Sequence, residues 1–383
     1  MTYSRKIYLD HNSTTPVDRR VVEAMLPYFT EMFGNASSVS HPFGWDAEEA
    51  VNYAREKIAE LIGAKSSEIT FTSGATEAIN LALIGVCEAN TQKGNHIITC
   101  KTEHKAVLDT CDYLETRGFE VTRLDVDDNG NIDLNAFRKA LNHRTILVSV
   151  MHSNNETGII HPLQKIAAML KNHQALLMTD ATQSLGKIAL DVDRMGIDIA
   201  TFSAHKMYGP KGVGALYLKK PKVSCKTISF GGNHEKGLRA GTLNVPGIVG
   251  FGKACEICQT EMESEAERLM DLRDALETEL SDVDGLLVNG QDTNRLPHMT
   301  NISIPNIDGS RLLRTLKNLA LSQGSACTSG STEASHVLKN MGLSDELAYS
   351  SLRIGLGRHT TIEEIYRAAK DIKLVASMLK LSK

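Results

Sequence analysis

Short apolar runs alternate with amphipathic helical patterns along most of the chain, and this alternation constrains the fold more than any other feature. Residues 69–72, 96–99 and 145–150 have the length and composition of buried strands. Helical segments lie between them, such as residues 47–63, a segment that ends at a glycine. Strands that alternate with helices build parallel sheets, so the pattern predicts an α/β domain.

The pattern changes after residue 247. A long charged helix is predicted at about residues 249–281, and short strands and further helices follow it. We therefore predict a large domain over residues 15–259, with a mixed but mostly parallel sheet. The predicted smaller α+β domain contains residues 1–14 and 260–383 and carries a small-residue cysteine loop.

Composition narrows the classes of function. The 383 residues carry a formal net charge of −4, which gives no reason to expect direct nucleic-acid binding. No run of 18 apolar residues predicts a membrane span, and the first residues lead into a strand rather than a signal-peptide segment. We therefore expect a cytoplasmic protein without membrane contact.

The seven cysteines are odd in number and scattered, which argues against a disulfide framework. Cys255 and Cys258 form a CxxC pair within a predicted helix, where packing on one helix face is the favoured interpretation. A thiol-based metal or redox site at this pair is the alternative.

One lysine lies in a segment whose residue types are typical of a reactive site, SAHKMYGPKG at residues 203–212. Lys206 lies there among a hydroxyl, an imidazole and a glycine-proline turn, and it follows a predicted strand. A lysine amine can form a Schiff base with pyridoxal phosphate, which then acts as an electron sink. The alternative is a surface turn with solvated charges.

A second motif, SGATE at residues 73–77, follows a predicted strand and opens a helix. Small residues let the backbone approach an anion, and a helix N-terminus offers free N–H groups, so phosphate is the natural ligand. The alternative is an ordinary strand-to-helix turn with a hydroxyl cap.

Asp180 and Gln183 follow another predicted strand, and Asp180 precedes Lys206 by 26 residues. Carboxyl ends of strands are where α/β proteins bind ligands, so Asp180 and Lys206 are expected at one edge of the sheet. Asp180 can pair with a protonated pyridine nitrogen, and Gln183 can reach the phenolic oxygen of the ring. A cap of the next turn is the alternative role for Asp180.

Three further polar residues are candidates. His104 follows a strand and can stack on a cofactor ring and exchange protons with substrate. Asn155, in a polar loop, is a candidate ring contact, and Arg353 can hold a substrate carboxylate with its planar fork. A structural histidine and an ordinary arginine ion pair are the alternatives.

Cys327 lies in the segment SQGSACTSGS at residues 322–331, among serine, threonine and glycine. Structural cysteines usually have apolar neighbours, so this composition predicts an exposed loop thiol that can act as a nucleophile. An unreactive loop thiol is the alternative.

In their order along the chain, these segments resemble group I cysteine desulfurases of the IscS/NifS type. The resemblance runs nearly from end to end and rests on these motifs: YLDHNSTTP (8–16), GNASS (34–38), FTSGATE (71–77), TEHK (102–105), DATQS (180–184), SAHK (203–206), LRAGTL (238–243), GSAC (324–327) and LRIGLGR (352–358).

The resemblance implies a fold-type I pyridoxal-phosphate enzyme that forms a homodimer. Lys206 would bind the cofactor covalently, and His104 would stack on its ring. Arg353, with Asn155, would bind the substrate, and Cys327 would receive the sulfur. The remaining cofactor contacts implied are Ala75, Thr76, Asn155, Asp180, Gln183, Ser203, His205 and, from the second subunit, Thr242.

The implied reaction converts L-cysteine to L-alanine and leaves a persulfide on Cys327. An iron–sulfur scaffold protein or a tRNA-thiolation carrier would accept this sulfur. In a complex with the scaffold, Cys327 would be a transient ligand of the cluster. No resident metal is expected. Alternatives are a selenocysteine lyase, an aminotransferase without desulfurase activity, or a non-catalytic sulfur-relay protein that kept the fold.

Two departures from the family pattern stand out. Ala204 replaces the usual glycine, and well-known members continue past the position of Lys383 with a tail that helps to dock the scaffold. Desulfuration is therefore a firmer expectation than scaffold docking.

Overall fold

The computed structural model describes residues 6–324 and 334–381. Its strands are β1 (Ile7–Tyr8), β2 (Ile69–Thr72), β3 (His96–Cys100), β4 (Glu120–Leu124), β5 (Thr145–Ser149), β6 (Leu176–Asp180), β7 (Ile199–Ser203), β8 (Gly214–Leu218), β9 (Leu287–Val288), β10 (Met299–Ser303), β11 (Leu319–Ala320) and β12 (Ser351–Gly355). Its α-helices are α1 (Arg19–Met25), α2 (Pro27–Thr30), α3 (Pro42–Ile62), α4 (Ala75–Ala89), α5 (Lys105–Thr116), α6 (Leu134–Ala140), α7 (Leu163–Leu170), α8 (Val245–Leu280), α9 (Gly309–Thr315), α10 (His336–Asn340), α11 (Asp345–Tyr349) and α12 (Ile362–Leu381).

Seven of these strands form the large sheet, in the order β2-β8-β7-β6-β5-β3-β4. The strands from β4 to β7 pair in parallel, whereas β8 is antiparallel to both of its neighbours, β7 and β2. Strand β2 therefore runs in the same direction as β7. The carboxyl ends of β2, β3, β5, β6 and β7 meet at one edge, which confirms the predicted α/β sheet.

Both faces of this sheet are covered. Successive residues of a strand point to opposite faces, and in β3 Ile97 and Ile98 accordingly pack into different hydrophobic clusters. Helices α4 and α5 cover one face, and α3, α7 and the first half of α8 cover the other. Burial of each large apolar side chain contributes about 1.5–3 kcal/mol to the stability of the fold. The packed sheet therefore fixes the positions of the residues at its edge.

A second core lies beyond the large sheet. Strands β9, β10 and β12 form an antiparallel sheet, and β1 pairs in parallel with β11. Leu269 and Leu276 from the second half of α8 pack here with Ile7 and Leu9 from the N-terminal segment. The N-terminal segment thus packs with the C-terminal part of the chain, while the division near residue 259 stays a prediction.

Helix boundaries follow local capping. Helix α3 begins five residues before the predicted start, because the His41 side chain accepts a hydrogen bond from the Gly44 N–H and Pro42 occupies the first turn. It ends as predicted at Gly63, which has a φ of 68°. Helix α8 begins at Val245, where the Asn244 side chain accepts a hydrogen bond from the Gly247 N–H.

Cys255 and Cys258 are buried in the first half of α8, and burial raises the pKa of both thiols. Their predicted place on a packed helix face is confirmed. Among the residues that the structure describes, no helix combines the length and the apolar character needed to cross a membrane.

Candidate active site

A cavity of about 510 Å³ lies at the edge where the carboxyl ends of the strands meet. Nearly all of the candidate residues from the sequence line it, although they come from separate parts of the chain. The sheet topology explains this for all of them except Arg353, because they lie at or just after the carboxyl ends of strands that meet at this edge. The candidates in the cavity wall are Ala75, Thr76, His104, Asn155, Asp180, Gln183, Ser203, His205, Lys206 and Arg353.

Two candidates are not found in this wall. Thr242 is exposed and does not line the cavity of its own chain. The role expected for it is in the site of a second subunit, and that role stays a prediction. Cys327 lies outside the described residues.

Lys206 closes a short 3-10 turn, Ala204–Lys206, that directly follows β7. Its Nζ donates hydrogen bonds to the backbone carbonyl oxygens of Asn12, at 2.6 Å, and Ser13, at 2.7 Å. These two carbonyls hold the amine at the cavity wall. The sequence placed Lys206 at the end of a strand but did not indicate this partner segment.

The SGATE motif forms the predicted turn between β2 and α4. Gly74 is the N-cap residue of this helix of 15 residues, and it has no side chain to cap the helix N-terminus. The first N–H groups of a helix lack intrahelical partners and carry the positive end of its dipole. A Cβ on Gly214 would lie 2.6 Å from the Gly74 Cα, so glycine lets the turn pack closely against β8.

His205 lies beside this turn. Its Nδ1 is 3.1 Å from the Thr14 hydroxyl oxygen. Burial, together with the nearby Lys206 and Lys211 charges, lowers the pKa of His205 to about 4. The ring is therefore neutral near pH 7, and it contributes a hydrogen-bonding group rather than a charge to the anion site.

Asp180 ends β6 and is 8% exposed. Its Oδ1 accepts a hydrogen bond of 2.9 Å from the Thr182 N–H, so the capping role considered for it is real. The same carboxylate also lines the cavity. The two roles coexist because a carboxylate has more than one acceptor site.

His104 is the N-cap residue of α5, and its Nδ1 accepts a hydrogen bond of 3.1 Å from the Ala106 N–H. A neutral ring that accepts at Nδ1 carries its proton on Nε2. The preceding Glu103 is fully buried, and burial raises its pKa well above the usual range. His104 therefore offers one N–H at the cavity wall.

Residues 10–15, which we call the N-terminal strap, cross the same cavity. The Asn12 side chain donates to Gln183 Oε1 at 3.3 Å, and Gln183 Nε2 donates to the Asn12 carbonyl at 3.1 Å. Thr14 contacts His205, and the Asn12 and Ser13 carbonyls hold Lys206. Sequence reasoning assigned no role to these residues. The available signal was a polar run, HNSTT, directly after an apolar strand.

Arg353 lies in β12 of the second core, is 1% exposed, and lines the same cavity. Its Nη1 donates to the Asn155 carbonyl at 3.1 Å. Its Nη2 donates to the Asp10 carboxylate at 3.0 Å and to the Ser13 hydroxyl oxygen at 2.6 Å. A buried guanidinium with partners on several sides has a fixed orientation, as recognition of a carboxylate requires.

The wall of the cavity fits a pyridoxal phosphate. It brings together a lysine amine, an uncapped helix N-terminus and a buried carboxylate, which match the aldehyde, the phosphate and the pyridine nitrogen of the cofactor. In the described part of the chain, the buried Thr182 Oγ1 and Asn155 Oδ1 have no hydrogen-bond partner. Buried polar atoms are rarely left unpaired, which supports a polar ligand at this wall.

Comparison with known proteins agrees with this geometry. Residues 7–367 match the family "Aminotransferase class-V". A relative from Anaeromyxobacter sp. (strain Fw109-5), "Cysteine desulfurase IscS", is 55% identical over 94% of this chain and 89% of its own length. A solved "NIFS-LIKE PROTEIN" superposes with a TM-score of 0.91 at 38% identity, over 98% of this chain and 100% of the other.

A further solved structure, "SspA in complex with cysteine", has a TM-score of 0.79 at 36% identity and covers 93% of this chain and 100% of its own. The chain belongs to the class-V aminotransferases, which are pyridoxal-phosphate enzymes of fold type I. Within that family it belongs to the IscS-type cysteine desulfurases.

Proposed function

We propose that this cysteine desulfurase converts L-cysteine to L-alanine at the cavity beside Lys206 and carries the released sulfur as a persulfide on Cys327. The observation that carries the proposal is the meeting of Lys206, Asp180 and Arg353 in one cavity. These side chains supply an amine, a carboxylate for the cofactor ring and an anchor for an amino-acid carboxylate. The related SspA was solved in complex with cysteine, which supports the same substrate.

Each part of the wall would hold one part of the cofactor. The N–H groups of Ala75 and Thr76, with Ser203 and His205, would bind the phosphate, and Asp180 would pair with the pyridine nitrogen. His104 would lie against the ring, and Gln183 and Asn155 would bind near its oxygen. When bound, pyridoxal phosphate supplies an electron sink for the bonds at the substrate α-carbon.

The residues of the chain supply positioning and proton transfer. Arg353 holds the substrate carboxylate and so fixes the orientation of its α-carbon. Lys206, held at the wall by the strap carbonyls, removes the proton from that α-carbon. His104, whose Nδ1 accepts a backbone hydrogen bond, has its N–H at Nε2 and can donate a proton in the same cavity.

Sulfur transfer balances without an external oxidant. The Cys327 thiolate attacks the substrate sulfur, and an S–S bond forms as the carbon–sulfur bond of the substrate breaks. The electron pair of the broken bond stays with the carbon fragment, which takes up protons to become alanine. Thiolates, rather than thiols, are the nucleophiles in such reactions.

We further propose a homodimer in which Thr242 of each chain completes the phosphate site of the other. Its exposure, outside the cavity of its own chain, supports this role. The desulfurase passes its sulfur to acceptors, and we propose an iron–sulfur scaffold protein or a tRNA-thiolation carrier as the acceptor.

The variant Cys327→Ser tests the proposal. We expect it to keep the yellow cofactor absorbance and to lose sulfide release from L-cysteine in the presence of dithiothreitol. Cys225→Ser, which changes a cysteine in the wall of a different cavity, is the matched control and should keep its activity. Full turnover by Cys327→Ser would disprove the assignment of the sulfur-accepting thiol.

A further inference from the structure

We infer that Ser13 is a second binding residue for the carboxylate of the substrate, acting beside Arg353. The inference deepens the proposed function, on which it rests, because it concerns how an amino acid is held in the same cavity. Ser13 lies in the N-terminal strap and lines this cavity.

The first argument is the position of the hydroxyl. The Ser13 Oγ accepts a hydrogen bond of 2.6 Å from Arg353 Nη2. A serine hydroxyl has two lone pairs and one O–H donor, so accepting from arginine leaves its proton available. Within the described residues, no acceptor is assigned to that proton. The hydroxyl can therefore donate to an anion that binds beside the guanidinium.

The second argument is the use of the guanidinium donors. Arginine has five N–H groups. Within the described residues, three of them bind the Asn155 carbonyl, the Asp10 carboxylate and the Ser13 oxygen. Arg353 Nε is buried without a hydrogen-bond partner there. Only part of the guanidinium fork is left for a ligand, and the Ser13 hydroxyl supplies an additional donor next to it.

The third argument separates the two roles of Ser13. Its backbone carbonyl accepts a hydrogen bond from Lys206 Nζ at 2.7 Å, whereas its hydroxyl contacts Arg353. Replacing the side chain removes the hydroxyl and leaves the carbonyl in place. Carboxylate binding and the environment of the lysine can therefore be tested independently.

The experiment compares Ser13→Ala and Ser13→Thr with the parent holoenzyme. Absorbance titration measures the binding of L-alanine, which has the carboxylate, and of ethylamine, which lacks it. Hydrogen bonds to charged groups are the stronger ones, so we expect Ser13→Ala to weaken alanine binding about tenfold and to leave ethylamine binding unchanged. Ser13→Thr, which keeps a hydroxyl, should restore most of the alanine affinity.

The KM for L-cysteine should rise in parallel in Ser13→Ala, with kcat changed less than twofold. Unchanged alanine binding in Ser13→Ala would overturn the inference, and so would an equal loss for ethylamine. If Ser13→Ala yields no cofactor-loaded protein, Ser13→Gly removes the same hydroxyl and takes its place in the titrations. The titrations need no sulfur release, so they test Ser13 even if the parent enzyme proves inactive on cysteine.

Discussion

The cavity has two walls that are built differently. The wall at the sheet edge carries Lys206, Asp180 and His104, each of which follows its own strand and lies on a buried core. The second wall, formed by the strap and β12, joins Asp10 to Arg353 across 343 residues of sequence. The sheet-edge wall holds the groups assigned to the cofactor, whereas the second wall holds the groups assigned to the substrate carboxylate.

The two walls also differ in what fixes their side chains. Hydrophobic packing of the strands sets the positions at the sheet edge, whereas hydrogen bonds and an ion pair connect the strap to β12. We therefore expect substitutions at the sheet edge to affect cofactor chemistry and kcat. Substitutions in the second wall should mainly change substrate binding.

The largest effect is expected for Lys206→Ala. Loss of the only amine assigned to covalent cofactor binding should reduce desulfurase activity at least 10³-fold, within the range of losses for essential catalytic groups. The absorbance of the lysine-bound cofactor should also disappear. Lys222→Ala, which changes a half-exposed lysine paired with Asp198, should have normal activity; an unaltered spectrum in Lys206→Ala would contradict the assignment.

The next effect is expected for Asp180→Asn. The amide can still accept the hydrogen bond from the Thr182 N–H, but it removes the negative charge from the cavity wall. Electrostatic contributions of this kind are worth on the order of 10²-fold in kcat, and we expect a loss of about that size. Steady-state kinetics with cofactor-saturated protein measure it, and a change confined to KM would argue against pairing with the cofactor ring.

Asp10→Asn, in the wall formed by the strap and β12, is expected to have a smaller effect, and this effect is a gain in substrate binding rather than a loss of activity. Asp10→Asn keeps an acceptor for Arg353 Nη2 and removes a carboxylate that repels the carboxylate of the substrate. Partly screened charge interactions near a protein surface are worth about 1 kcal/mol or less, so the KM for L-cysteine should fall about threefold. A large fall in kcat would show that the two walls do not divide their roles as described.

The smallest effect concerns the loop that carries Asn155. His161 is 3% exposed, and its backbone N–H donates to the His152 carbonyl to close this loop. Burial, with a lesser contribution from His152, lowers the pKa of His161 from 6.5 to about 4. Between these pH values the unfolded chain binds the proton and the folded chain does not, so the free energy of unfolding falls as the pH falls.

Denaturant unfolding at a series of pH values from 7 to 4 measures this dependence. His161→Gln removes one titrating group, so its free energy of unfolding should fall less steeply with pH than that of the parent protein. The loop belongs to the sheet-edge wall, and the acid sensitivity should therefore appear first in cofactor retention. Equal slopes for the two proteins would show that His161 does not contribute.

More of the sheet-edge wall than of the other wall could be predicted from the sequence, and the reason is physical. Strand and helix patterns are local, and residues that follow parallel strands must meet at one sheet edge, so Asp180 and Lys206 could be brought together without a structure. The strap is also a local pattern, but its polar run does not indicate which side chains it meets. The hydrogen bonds that Ser13 accepts from Arg353 and Lys206 depend on packing of the N-terminal segment against β12 and against the end of β7.

The sequence by itself determined the α/β fold class, the family and the candidate residues, because hydrophobic periodicity and the order of motifs are properties of the sequence alone. Only the tertiary structure decided which groups surround each candidate. It showed that His104 and Asp180 also act as caps, that Arg353 is already paired with Asp10, and that the strap holds Lys206. These contacts join distant segments, so they exist only once both cores have packed.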